Sequence, residues 1–69
     1  MFVPTEEHYK AMSKSIDNDV KAYVVPMGRE YIIELDWKGN VKQGRQVFEK
    51  QKDAHEALWN LYLEIVKKL

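Results

Sequence analysis

Apolar and polar positions change period along the chain, and each change predicts an element. Tyr9, Met12 and Ile16 recur at i, i+3 and i+7, the spacing of one helix face. Pro4-Thr5-Glu6-Glu7 ahead of them offers a capping hydroxyl, then carboxylates in the first turn where the helix dipole favours them. Asp17-Asn18-Asp19 closes the segment with turn formers. The period then drops to two. Val20 to Val25 is β-branched and aromatic, and Pro26-Met27-Gly28 predicts a turn. Glu30 to Trp37 alternates, with Tyr31, Ile33, Leu35 and Trp37 on one face and Glu30, Ile32, Glu34 and Asp36 on the other. Lys38-Gly39-Asn40 reads as a hairpin connection into a third strand, Val41 to Phe48. Gly44 in its middle predicts a bulge or a close backbone approach.

Helical spacing returns at Asp53-Ala54-His55-Glu56, which has the form of a capping box, and runs to Leu69. At about 100° per residue, Ala54, Leu58, Leu61, Tyr62, Ile65 and Leu69 form one apolar stripe. Trp59, Leu63 and Val66 widen it, leaving Glu56, Asn60, Glu64 and Lys67 as the polar strip. A helix resting on one small sheet needs an apolar arc of roughly 100°, and this one has about two-thirds of its circumference. The excess must be covered by the chain itself, by a second copy or by a partner. Trp59, Leu63 and Val66, with His55 mid-arc between Tyr62 and Val66, are therefore the candidate protein interface, and Ile32 is a further candidate. Tight connections between the strands predict an antiparallel meander whose aromatic-aliphatic face lies under the C-terminal helix. The expected fold is α+β: a short N-terminal helix, a three-stranded antiparallel meander and a long C-terminal helix (α-β-β-β-α), one domain over residues 1–69.

Composition narrows the chemistry. A chain of 69 residues with 45% hydrophobic residues can build a core but is marginal without help. It has no cysteine, so neither disulfides nor thiolate metal sites are available. No apolar run is long enough to span a membrane and no charged-then-greasy leader opens the chain, so a cytoplasmic protein with no membrane partner is expected. Net charge is zero, yet unevenly spread. Lys38, Lys42, Arg45, Lys50 and Lys52 stand against Glu49 alone in segment 37–52, while the rest of the chain is mildly acidic. These five cations are the candidate nucleic-acid contacts, suited to phosphates without base reading. The opposing reading is a solvated hairpin whose charges protect an edge strand.

Catalytic and metal signals are poor. His55-Glu56 begins like a zinc-protease helix motif, but position 59 is Trp. His8 is expected to be a solvated first-turn residue. Ser13, Ser15 and Thr5 lack a nucleophile elbow and a glycine pair for an oxyanion hole. Glu34 and Asp36, about 7 Å apart on one strand face, read as solvated surface. No catalytic residue, cofactor, metal or small-molecule substrate is therefore expected.

The element order, with Pro26-Met27-Gly28-Arg29 between the first strands and Lys50-Gln51-Lys52-Asp53-Ala54 entering the last helix, resembles the double-stranded-RNA-binding-domain fold. That resemblance implies phosphate gripping by Lys50 and Lys52. It is one of topology: the loop lacks the family's histidine, Gln51 splits the lysines, and Leu58 and Trp59 replace the small residues of the second helix. Phe48 to Ala54 is also similar to arm-type DNA-binding domains of mobile-element integrases, three-stranded sheets followed by a helix. The functional expectation is a non-enzymatic interaction module, either an adaptor or inhibitor or a homodimeric regulatory protein of a bacterium or phage. The alternative is a nucleic-acid-binding module using the basic hairpin, residues 38–52.

Overall fold

Five elements follow one another in the expected order: α1 (Glu6–Asp17), β1 (Val20–Met27), β2 (Glu30–Trp37), β3 (Asn40–Gln43) and α2 (Gln51–Lys67). They come from a computed structural model that describes residues 2–69. The strands form one antiparallel sheet in the order β1-β2-β3. Each hairpin is tight. Gly28, with φ of 64°, takes the first place of the β1–β2 turn, and Lys38 and Gly39 (φ of 51° and 96°) make the β2–β3 turn. Such positive values match the right-handed twist of the flanking strands.

Both helices lie on one face of the sheet, giving two layers only 14 Å deep between Cα extremes. α2 crosses β1 and β2, α1 packs on α2 and β1, and β3 touches only β2. Val20, Ala22, Ala11, Tyr62 and Ile65 form the buried cluster, with Ile33, Leu35 and Trp37 packed against it as the strand alternation predicts.

Three local expectations are corrected. The inward face of α1 is His8, Ala11 and Ser15, with Met12 packed against the core as expected, whereas Tyr9 and Ile16 are exposed. Small residues at positions 11 and 15 let α1 approach closely, and the Ser15 hydroxyl is satisfied by donating to the Val20 carbonyl at 2.6 Å. The third strand stops at Gln43 instead of Phe48. Gly44 donates its N–H to the Ile33 carbonyl, and a Cβ there would sit 3.0 Å from that oxygen, so the close approach expected at this glycine is real. The chain then leaves the ladder over residues 45–47 and returns when Phe48 exchanges two hydrogen bonds with Tyr31. Finally, α2 begins at Gln51 with Lys50 as an extended N-cap that makes no side-chain bond, so Asp53 sits in the first turn. The Phe48–Tyr31 bridge holds the preceding strand, and the helix starts almost as soon as that constraint ends.

One side chain locks the layers together. Tyr62 is 4% exposed, and its hydroxyl accepts the Ala22 N–H at 3.0 Å and donates to the Ala22 carbonyl at 2.8 Å. Tyr62→Phe keeps the ring and strands both backbone groups. A buried unsatisfied group costs about 1–3 kcal/mol, so a loss of roughly 2–4 kcal/mol is expected. Chemical denaturation checks this, and a variant as stable as the parent would contradict the assigned role.

Candidate functional site

The four residues expected to form one apolar flank on α2 fall into two separate grooves. Leu63 and Val66, both half-buried, join Ala11 as the floor of a groove of about 670 Å³ between the helices, rimmed by Glu7, Lys10, Lys14, Asn60, Glu64 and Lys67. His55 and Trp59 line a second cleft with Phe2, Pro4, Lys52, Asp53 and Glu56. Between the two, α1 already covers part of the flank. Trp59 packs edge-on against Tyr9 (ring centroids 5.1 Å apart) and His8 (6.3 Å), and tilts against Tyr62 (6.3 Å). Much of the excess apolar arc is thus hidden by the chain's own first helix. Ile32 is buried at 3% exposure even though strand alternation places it on the face away from the helices.

The two histidines exchange the environments expected of them. His55 is exposed, with Nδ1 2.9 Å from the Gln51 carbonyl one turn back. His8 is buried. Its Nδ1 accepts the Thr5 backbone N–H at 3.0 Å and lies 2.9 Å from the Thr5 hydroxyl, and its Nε2 faces Asn60 Oδ1 at 3.2 Å. A backbone N–H can only donate, so the ring proton sits on Nε2 and points at Asn60. Thr5, His8 and Asn60 superficially imitate a nucleophile, base and orienting group. However, the Nδ1 lone pair that would take a hydroxyl proton is already engaged by a backbone donor. His8 thereby does what Glu does in a capping box, and its other nitrogen ties α1 to α2. The spacing Thr5-x-x-His8 carried this signal, and it was missed because the third box position is ordinarily read only for Glu or Gln.

The five candidate cations are all exposed and follow one margin of the molecule. Lys38 is at the β2–β3 turn, Lys42 on β3, Arg45 in the excursion after Gly44, Lys50 at the N-cap of α2 and Lys52 in its first turn. The ion pairs among the described residues, Lys10–Glu6, Lys21–Asp19 and Lys67–Glu64, involve none of them. Among these residues no group of three or more His, Cys, Asp or Glu is placed to hold a metal ion, and no helix is long and apolar enough to cross a membrane.

The bare face of the sheet mixes apolar and acidic groups. Tyr23, opposite Glu34 and diagonal to Asp36, remains 39% exposed there, and Met27, opposite Glu30, remains 49% exposed. Both carboxylates have structural partners. Asp36 Oδ1 accepts the Gly39 N–H at 2.9 Å, while Glu34 accepts the Tyr23 hydroxyl at 2.7 Å and the Gln43 amide at 3.4 Å. The Glu34 bond holds the Tyr23 phenol above its ordinary value of 10.0, and desolvation and the charges of Glu34 and Asp36 push the same way.

No family model matches the chain, and no curated protein or solved structure matches it either.

A raised phenol value means that the fold favours the protonated ring. Its contribution is complete below the ordinary phenol value and is lost as pH rises through the raised one. Glu34→Ala removes the largest cause, so Tyr23 should titrate at lower pH in that variant, as followed by tyrosine-ring NMR. An unchanged midpoint would show that the cross-strand bond does not form in solution.

Proposed function

We propose that the chain is a non-enzymatic protein-interaction module that pairs with a second copy of itself through the groove between α1 and α2. The observation that supports this reading is the open apolar floor of Ala11, Leu63 and Val66 inside a rim whose charges are self-complementary. Along α1 the rim runs from Glu7 at the amino end to Lys14 at the carboxyl end. An antiparallel twin related by a two-fold axis brings Glu7 of each copy toward Lys14 of the other, and Leu63 and Val66 close over their counterparts. Trp59 contributes less than its position on the helical wheel suggests, because Tyr9 and His8 already face it.

The pairing is tested by mass in solution. Glu7→Lys sets two lysines against each other across the axis and should shift the protein toward monomer. The double variant Glu7→Lys, Lys14→Glu restores complementarity and should recover the dimer. Both positions are solvent-exposed, so helical content should hold in every variant. A parent protein that stays monomeric at high concentration overturns the two-fold reading.

A second reading is favoured by one observation, the five exposed cations outside any of the ion pairs. In it, Lys38, Lys42, Arg45, Lys50 and Lys52 contact phosphates, Lys50 and Lys52 being the two that the resemblance to double-stranded-RNA-binding domains implies. Five such contacts correspond to a log–log salt slope of about −4.5 for duplex binding. Binding absent even at low salt removes this reading.

A further inference from the structure

The two edges of the sheet are finished differently. In an antiparallel ladder every second residue turns its N–H and C=O away from the neighbouring strand. On β1 these are Val20, Ala22, Val24 and Pro26, because the Ala22 groups point outward to Tyr62. The first half of this edge is closed, since Ser15 bonds the Val20 carbonyl and Tyr62 takes both groups of Ala22; farther along, Pro26 has no N–H to offer an added strand. Among the described residues, both groups of Val24 and the Pro26 carbonyl have no hydrogen-bond partner, while the Val20 N–H belongs to a fully buried residue.

On β3 the Gly44 N–H to the Ile33 carbonyl sets the opposite parity, so Lys42 bonds to Leu35 while Val41 and Gln43 face outward. Neither residue's backbone groups have a hydrogen-bond partner on that side among the described residues, and Val41 is 54% exposed. Neither helix reaches β3. A cleft of about 550 Å³ opens beside it, lined by Leu35, Trp37, Asn40, Val41 and Lys42.

We infer that the free edge of β3 is the docking site for an extended acidic segment of a protein partner, which adds to the sheet as a fourth strand. This rests on the reading of the chain as an interaction module, though not on its dimerisation. The backbone argument selects a polypeptide. Val41 and Gln43 present alternating donors and acceptors, which an extended chain matches and a phosphodiester, having only acceptors, does not. The charge argument selects an acidic one: Lys38, Lys42 and Arg45 flank the edge, and none of them is in an ion pair among the described residues. It also disfavours a second copy here, since β3 against β3 sets these cations against their own kind. Acidic side chains of the added strand lie beside Lys42 on the helix side, and apolar ones lie beside Val41 on the bare side.

The test uses the full chain and a short capped peptide alternating valine and glutamate, followed by backbone amide NMR. Shifts are expected at Val41 and Gln43, with Leu63 and Val66 unmoved. Replacing glutamate by lysine in the peptide, or N-methylating the residues that face β3, should weaken binding at least tenfold. So should Lys42→Glu with Arg45→Glu, which leaves the ladder bonds intact. Shifts confined to the helical groove overturn this site but leave the interaction module standing. No shift at millimolar peptide overturns it, and if duplex nucleic acid then perturbs the same amides, the phosphate reading takes its place. Binding that survives N-methylation overturns strand addition as the mode.

Discussion

Two hydrogen bonds from one phenol hold the architecture in register. A chain this small has room for few buried side chains, and Tyr62 is the largest residue in the main buried cluster. Its ring fills the space between helices and sheet, while its hydroxyl settles both backbone groups of Ala22. A tyrosine in this position therefore works twice, as apolar volume and as a replacement for a missing neighbouring strand. Ser15 repeats the device one pair away at Val20, so α1 and α2 together take the place of strands along β1. That is how a three-stranded sheet remains discrete without a fourth strand on that side.

Cross-layer bonding of this kind also explains what could be read in the sequence and what could not. The face of β2 was legible because Tyr31, Ile33, Leu35 and Trp37 repeat with period two, and periodicity survives folding. Gly44 was legible because a glycine inside a strand pattern has few reasons to be there. The stripe on α1 was legible at Met12 but misread at its ends: Tyr9 and Ile16 are the more apolar residues, but closeness of approach favoured His8, Ala11 and Ser15. Ser15 looks polar until the Val20 carbonyl is placed beside it, and only the fold does that. The split of His55, Leu63, Val66 and Trp59 between two grooves has the same origin, because a helical wheel knows nothing of the helix that will lie across it.

The charge distribution gains meaning from topology in the same way. As a string, segment 37–52 is simply basic. Once folded, the hairpin turn, β3 and the start of α2 follow one another around a single margin, while Glu34 and Asp36 stay on the bare sheet face with their own partners. The molecule is neutral overall yet has a basic rim and an acidic face. Its two sheet edges differ accordingly, one closed over its first half by two hydroxyls, the other left open among cations.

The excursion at residues 45–47 has a consequence of its own. Regular pairing would place one residue between Gly44, opposite Ile33, and the partner of Tyr31; here there are three, and both ends are fastened by backbone bonds. The chain thus carries a short slack segment between two fixed backbone pairings, so the bend that frees it for the terminal helix is absorbed outside the ladder.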